Sequence, residues 1–247
     1  MENFFSVSDV EDVQELLKKA MEVKKNPLAN TTLGKHKTLG LIFYNSSLRT
    51  RISSQKAAFN LGMDVITLNI GSDGWQLESK DGAIMDQGTA EHIKEAAAVI
   101  STYVDVLGIR CFAGLEDREA DYNEEVLQNF IKHATVPIVN LESSTLHPLQ
   151  SLADLVTIET HKKKDRPKVV LTWAPHPRAL PQAVSNSFTR PAIVFNSSIF
   201  SGEIETLRDP ESFEEEEESS NFFVGEELEK DLLFFKIELL LIALYAS

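Results

Sequence analysis

The feature that most limits the fold is the alternation of short apolar runs with helix-length amphipathic stretches between residues 37 and 173. The run Lys37–Tyr44 has strand length, and Leu48–Leu61 follows it with helical spacing. Strands separated in this way by helices pair in parallel, because a parallel pair needs a long crossover connection. The sequence therefore predicts an α/β fold with a parallel sheet flanked by helices.

The same pattern predicts five strands and five helices along the chain. The predicted strands are Lys37–Tyr44, Met63–Ile70, Tyr103–Ile109, Val136–Leu141 and Lys168–Trp173. The predicted helices are residues 8–21, Leu48–Leu61, Glu91–Ser101, Tyr122–His133 and Pro148–Thr160. Ser8 and Glu11 fit a capping box at the first helix, and Gly62 fits a C-terminal stop at the second. Residues 71–90 are rich in Gly and Asp and indicate a long loop, which is frequently functional.

Composition excludes several classes of function. The single cysteine, Cys111, rules out a disulfide framework and a multi-thiolate metal site. The net charge of -14 argues against nucleic acid as a partner. The acidic N-terminus lacks the basic segment of a secretory signal, so we expect a cytoplasmic protein.

The charge is concentrated at the C-terminal end of the chain. Residues 190–247 hold 14 of the 38 acidic residues and 4 of the 24 basic ones. Their apolar segment Leu232–Ala246 carries Lys236 and Glu238, so we do not expect it to span a membrane. We expect a first domain over 1–160, the start of a second domain over 161–189, and an irregular, poorly ordered acidic tail over 190–247.

Polar residues follow the ends of four predicted strands. They are Asn45 to Arg51 after the first, Arg110 after the third, Glu142 and His147 to Gln150 after the fourth, and His176 to Arg178 after the fifth. Ligands of open parallel sheets bind at the carboxyl ends of the strands. The sequence therefore predicts one crevice that collects these groups.

The start of the helix Leu48–Leu61 favours an anion. Ser46 or Ser47 is an ordinary N-cap, whereas Arg49 and Arg51 place cations where the helix dipole disfavours them. A bound phosphate would resolve this conflict. The alternative is that both arginines reach solvent or a local acid. No nucleotide-phosphate motif is present, which favours a small phosphate ester or anhydride as the anion.

Three segments together resemble a known family. The segments Ser47-Leu48-Arg49-Thr50-Arg51, His147-Pro148-Leu149-Gln150 and Thr172–Arg178 are similar to those of the aspartate/ornithine carbamoyltransferase family, in particular its N-acylornithine branch. The resemblance covers roughly residues 1–188. It implies that the second domain is largely missing, so that the predicted strand Lys168–Trp173 would lack sheet partners. It implies transfer of a carbamoyl group from carbamoyl phosphate to the δ-amine of an N-acylated ornithine in arginine biosynthesis. It also implies a homotrimer that needs no cofactor or metal.

The resemblance assigns roles to individual residues. Carbamoyl phosphate would be bound by Ser47, Leu48, Arg49, Thr50, Trp75, Arg110, His147, Pro148, Leu149 and Gln150. Arg49, Arg110 and His147 would be the catalytic donors that meet negative charge on the carbonyl oxygen and the departing phosphate. Trp75 would reach the site of a neighbouring subunit, and Glu142 and His176 would contact the acylated ornithine. Ordinary alternatives are a surface or core role for His147, packing for Trp75 and a capping role for Glu142.

Ala90 predicts the acyl group. The resemblance implies that the acetylornithine enzymes have a glutamate at the equivalent loop position. The succinyl-specific enzymes have a small residue or proline there. A glutamate would repel the succinyl carboxylate, so Ala90 favours succinyl over acetyl. Three functions follow for the chain as a whole: an N-acylornithine carbamoyltransferase, a truncated chain that only binds carbamoyl phosphate, or a non-enzymatic partner protein that uses the acidic tail.

Overall fold

A computed structural model describes residues 3–71, 76–79, 91–114, 118–164, 169–172 and 204–207. In chain order its strands are β1 Thr38–Phe43, β2 Asp64–Asn69, β3 Leu77–Glu78, β4 Glu91–His92, β5 Val106–Arg110, β6 Ile138–Glu142, β7 Val169–Thr172 and β8 Ile204–Leu207. Its α-helices are α1 Val13–Lys25, α2 Leu48–Leu61, α3 Ile93–Ser101, α4 Arg118–Tyr122, α5 Glu125–His133 and α6 Pro148–His161.

The central sheet is parallel throughout and has the strand order β2-β1-β5-β6. Helices connect its successive strands, as a parallel sheet requires. This arrangement confirms the α/β prediction. Two small parallel pairs lie apart from it, β3 with β4 and β7 with β8.

Side chains of alternating residues build a core on each face of the sheet. In β1, Leu39, Leu41 and Phe43 belong to the core formed with α1, α2 and α6, whereas Ile42 belongs to the core formed with α3 and α5. The four side chains are at most 1% exposed. A central parallel strand is covered on both faces, which explains why β1 is a continuous apolar run rather than an alternating one.

The second predicted helix is confirmed at both ends. Ser47 caps α2, and its hydroxyl accepts a hydrogen bond from the Thr50 amide at 3.2 Å. Gly62 ends the helix in the left-handed region, with φ 78°. A Cβ atom there would collide with the Thr31 carbonyl oxygen, so both the backbone angle and the space favour glycine.

The predicted start of the first helix is wrong. The capping box is formed by Ser6 and Asp9, around a 3-10 turn over Val7–Asp9, and not by Ser8 and Glu11. Asp12 then caps α1 by accepting from the Glu15 amide at 2.9 Å. Several acidic and hydroxyl residues here offer competing caps, and the sequence pattern does not decide between them.

Two other helical predictions need smaller corrections. The predicted helix Tyr122–His133 is divided, because Glu124 between α4 and α5 adopts φ 54°. The predicted helix Glu91–Ser101 begins two residues later, since Glu91 and His92 pair with β3.

The prediction that the last strand lacks a partner is wrong. β7 pairs in parallel with β8, which lies inside the acidic segment 190–247. β7 belongs to this separate pair and not to the central sheet, so three rather than four of the strands with polar ends share one sheet. Within the described residues, no helix is long and apolar enough to cross a membrane.

Candidate functional site

The candidate site lies at the carboxyl ends of β1, β5 and β6. Phe43 of β1 is in register with Arg110, and Arg110 is in register with Glu142. Helices α2 and α6 follow β1 and β6 and pack on the same face of the sheet. Because β5 separates these strands, the two helix starts arise from backbones about 10 Å apart.

Arg110 joins the three strand ends. Its guanidinium forms a buried ion pair with Glu142, in which Nη2 and Nε lie 2.8 Å and 3.0 Å from the same carboxylate oxygen, Oε2. Nη1 donates to the carbonyl oxygens of Asn45 and Ser46 at 3.0 Å and 3.1 Å. Arg110 is 5% exposed and Glu142 7%. The guanidinium therefore fixes the loop that leads into α2.

Asn45 supports the same loop; the sequence placed it in the predicted crevice but assigned it no role. Its side-chain oxygen accepts a hydrogen bond from the Phe112 amide at 2.7 Å. The Phe112 ring in turn lies 3.9 Å from the Arg110 guanidinium carbon. The position of Asn45 directly after a buried strand was the available signal, but an asparagine there is also an ordinary turn residue.

The first turn of α2 presents backbone donors. Helix starts leave amide groups without intrahelical partners and carry partial positive charge. Thr50 is buried, whereas Leu48 and Arg49 have exposed side chains. Leu48 is 74% exposed and has no polar side-chain atom, so only its backbone can serve an anion.

The two arginines of this turn have different environments. Arg51 hydrogen-bonds the side-chain oxygen of Asn69 and stacks over Phe43, with 5.2 Å between the guanidinium carbon and the ring centroid. Arg51 therefore has local partners within the fold, which supply an alternative to a bound anion as the reason for its position. Arg49 is exposed, so its side chain and the backbone amides of this turn are the groups best placed to meet an anion.

The start of α6 provides the second set of groups. His147 is the N-cap, half-buried, and Pro148 occupies the first turn. Leu149 is fully buried in the core beneath, so its side chain cannot contact a ligand in the crevice. The Gln150 amide nitrogen donates to Asp154 at 2.9 Å, which directs its carbonyl oxygen away from that carboxylate.

Burial shapes the titration of groups near the site. Desolvation raises the pKa of Asp154 to about 6, although the hydrogen bond from Gln150 acts in the opposite direction. Desolvation also raises the pKa of the Cys111 thiol far above its usual range, and Glu124 adds to the shift. Cys111 is 4% exposed, so this thiol is a structural group and not a nucleophile.

The structure thus brings Arg110, Glu142 and the starts of α2 and α6 together. Trp75, Ala90 and His176 lie outside the described residues. Among the described residues, no cluster of His, Cys, Asp or Glu could hold a metal ion. Backbone amides at a helix start and basic side chains can bind a phosphate and polarise a carbonyl oxygen.

A family model described as aspartate/ornithine carbamoyltransferase, carbamoyl-P binding domain, matches residues 2–160. The N-succinylornithine carbamoyltransferase of Bacteroides fragilis (strain 638R) is 53% identical over 188 residues, which are 76% of this chain and 59% of that protein. The N-acetylornithine carbamoyltransferase of Xanthomonas axonopodis pv. citri (strain 306) is 39% identical over 179 residues, which are 71% of this chain and 51% of that protein. The chain therefore spans between half and three fifths of these relatives.

Solved structures agree with the sequence comparison. Acetylornithine transcarbamylase complexed with acetylcitrulline superposes with a TM-score of 0.66 at 37% identity, over 72% of this chain and 54% of that chain. A glutamate-to-alanine variant of N-acetyl-L-ornithine transcarbamylase, complexed with carbamyl phosphate and N-succinyl-L-norvaline, gives a TM-score of 0.68 at 38% identity. That match covers 76% of this chain and 57% of that chain.

Proposed function

This chain belongs to the aspartate/ornithine carbamoyltransferase family, and the match covers the carbamoyl-phosphate-binding domain. On this basis we propose a function for it. Its role is to bind carbamoyl phosphate where the starts of α2 and α6 flank Arg110. The observation that carries this proposal is the guanidinium of Arg110, which ties the loop before α2 to the end of β6.

The proposed contacts divide between the two helix starts. The phosphate is held by the Ser47 hydroxyl, the first-turn amides up to Thr50, the Arg49 side chain and Arg110. His147 donates to the carbonyl oxygen of the carbamoyl group, and the Gln150 carbonyl accepts from its amine. The hydrogen bond from Gln150 to Asp154 supports this orientation, because it occupies the amide nitrogen.

The proposed reaction is carbamoyl transfer. The δ-amine of an N-acylated ornithine attacks the carbamoyl carbon, and a C–N bond forms as the C–O bond to phosphate breaks. The departing phosphate takes the electron pair of the broken bond and the proton that the amine loses. Arg49, Arg110 and His147 stabilise the charge on the carbonyl oxygen and the leaving group. Aligning the two substrates supplies much of the rate. Neither a metal nor a cofactor is needed.

The acyl group is proposed to be succinyl. The N-succinylornithine enzyme of Bacteroides fragilis is 53% identical, against 39% for the N-acetylornithine enzyme of Xanthomonas. Ala90 supports this choice, since a small residue leaves room for a second carboxylate. The solved glutamate-to-alanine variant with a succinyl ligand is consistent with such control by one side chain. Glu142, His176 and Ala90 are the proposed contacts on this side.

The proposed setting is arginine biosynthesis in the cytoplasm, by a homotrimer in which Trp75 reaches the neighbouring site. Exposed apolar side chains on α2 support self-association: Leu48 is 74% exposed, Ile52 56% and Phe59 69%. The proposed division is a carbamoyl-phosphate-binding domain over 1–160, the start of an amino-acid-binding domain over 161–189 and an acidic tail over 190–247.

A second candidate is binding of carbamoyl phosphate without turnover. It is favoured by one observation: the described phosphate-binding groups lie between residues 45 and 150, whereas the chain spans 59% of the 53% identical relative. A turnover assay on the full chain separates the candidates. Formation of N-succinylcitrulline supports transfer, and formation of N-acetylcitrulline instead would overturn the succinyl assignment. Carbamoyl phosphate binding without either product supports the second candidate.

A further inference from the structure

The residue Glu124 stands out among the buried groups that the proposed reaction does not use. It is 5% exposed, and its backbone adopts φ 54°, a conformation that side chains other than glycine rarely adopt. It makes no ion pair with a described residue. Both the burial of the carboxylate and the strained backbone cost free energy, so the surrounding structure must stabilise this residue.

Four donors surround this carboxylate, and all of them come from three consecutive residues. Oε1 accepts from the Ser143 hydroxyl at 2.9 Å, the Thr145 amide at 2.7 Å and the Thr145 hydroxyl at 2.6 Å. Oε2 accepts from the Ser144 amide at 3.1 Å. Hydrogen bonds to an ionised acceptor are about twice as strong as neutral ones.

These donors belong to the turn 143–146, which connects Glu142 to His147. The Ser143 amide donates to the Leu146 carbonyl oxygen at 2.8 Å, and the Leu146 amide donates to the Ser143 hydroxyl at 3.3 Å. Asn140 of β6 also donates to that hydroxyl, at 3.1 Å. The turn is therefore closed on itself, attached to β6 on one side and to Glu124 on the other.

His147 follows this turn directly. It is the N-cap of α6, with φ −139° and ψ 70°, and its side chain makes no capping hydrogen bond. Pro148 restricts the backbone on its other side. The turn therefore sets the backbone position from which the His147 ring projects.

We propose that Glu124 is a positioning residue: by accepting four hydrogen bonds from the turn 143–146, it fixes His147 where it meets the carbamoyl carbonyl. This role rests on the proposed function for its consequence but not for its geometry. Glu124 does not touch the substrate. Its effect is confined to the carbamoyl end of the ligand, because the phosphate end is bound by α2 and Arg110.

The test compares two ligands of the full chain by titration calorimetry. Inorganic phosphate engages the phosphate groups alone, whereas phosphonoacetamide also carries the amide that His147 and Gln150 would contact. In Glu124→Gln, we expect phosphonoacetamide to bind about ten- to a hundredfold more weakly. Phosphate affinity should stay within about twofold. If the substitution only disturbed the fold, the affinities for both ligands would fall together.

A ligand-free readout separates this proposal from the proposed function. In Glu124→Gln, hydrogen exchange of the Ser144 and Thr145 amides should become faster, and the NMR signals of the His147 ring should shift. Thr145→Val removes one donor and leaves the carboxylate, so it should change both readouts in the same direction and by less. Glu125→Gln removes the neighbouring charge of the same helix turn and is the matched control.

The outcomes are distinct. If the wild type binds phosphonoacetamide no better than phosphate, the proposed function fails, and amide exchange with the His147 signals decides whether Glu124 holds the turn. If Glu124→Gln and Thr145→Val leave exchange and the His147 signals as in Glu125→Gln, the positioning role is overturned. Retention of the full preference for phosphonoacetamide in Glu124→Gln would also overturn it. Should Glu124→Gln not fold, Thr145→Val carries the same comparisons.

Discussion

At the scale of single residues, the buried pair of Arg110 and Glu142 has a structural role beside the binding role that we propose for it. Its two charges are enclosed and share hydrogen bonds, so either one is costly without the other. Arg110 also donates to two backbone carbonyls of the loop before α2. A single substitution would therefore affect both stability and ligand binding. Replacing Arg110 and Glu142 together separates the two effects.

We predict that Arg110→Met and Glu142→Leu each lower the free energy of unfolding by about 3 kcal/mol, because each leaves a buried charge without its partner. The double variant should recover most of that loss, since neither charge remains. Urea denaturation of the four proteins measures this difference. Additive losses in the double variant would show that the pair is not coupled.

Asp154 predicts a dependence of stability on pH. Its pKa is raised by burial to about 6, so the folded chain holds a proton that the unfolded chain has released above about pH 4. Ionisation of Asp154 therefore lowers the free energy of unfolding as pH rises from about 4 to about 6. Asp154→Asn keeps an acceptor for Gln150 and removes this ionisation.

We expect the stability of Asp154→Asn relative to the wild type to increase over that window, by about 1.4 kcal/mol per unit of separation between the folded and unfolded pKa. Chemical denaturation at pH 4, 6 and 8 measures the change, and Glu159→Gln near the end of the same helix is the control. A constant difference between Asp154→Asn and the wild type at all three pH values would contradict the expectation.

The sequence identified residues whose role depends on their immediate neighbours in the chain. It missed residues whose role depends on contacts with distant positions. Ser47, Thr50 and His147 stand next to helix starts, where the sequence indicates an N-cap. The contact of Arg51 with Asn69 gave no signal in the sequence, because Asn69 lies 18 positions away in another strand. Glu124 gave no signal, since its donors come from a turn about 20 positions later.

At the scale of elements, α2 was predicted at both ends because each end depends on one local residue. Ser47 supplies a side-chain acceptor, and Gly62 supplies the left-handed backbone. The start of α1 was not predicted correctly, because Ser6, Asp9 and Asp12 can each act as a helix cap. A helix end can be predicted from the local sequence only where a single residue is able to cap it.

Gly62 gives a prediction at this scale. Gly62→Ala should lower the free energy of unfolding by about 2 kcal/mol, since it combines left-handed backbone strain with a collision against Thr31. Gly71→Ala is the matched control, because Gly71 has φ 86° with no atom within 4 Å of an added Cβ. Thermal or urea denaturation compares them. Equal losses in the two variants would show that the collision with Thr31 contributes nothing.

At the scale of the whole molecule, the parallel sheet followed from the alternation of apolar runs and helices, whereas the pairing of β7 with β8 did not. β8 lies within a segment whose acidic composition hides a four-residue strand. Pairing between strands more than 30 positions apart depends on the completed fold and leaves no periodic signal in the sequence. The site was predictable where it follows the sheet and unpredictable where it follows such contacts.

Self-association is the prediction that belongs to this scale. We expect the full chain to form trimers and Ile52→Glu to form monomers, because a charge in the exposed apolar face of α2 opposes its burial. Val99→Glu, at a 48% exposed position on α3, is the control and should leave the mass unchanged. Light scattering after gel filtration measures the masses. A trimeric Ile52→Glu would exclude this face as the contact.

The central claim is that the chain binds carbamoyl phosphate at Arg110, between the starts of α2 and α6. The most direct test is calorimetric titration of carbamoyl phosphate into the full-length wild type and into the Arg110→Met, Glu142→Leu double variant. We predict saturable binding of one ligand per chain to the wild type and none to the folded double variant. Equal binding to both proteins, or no binding to the wild type, would contradict the account.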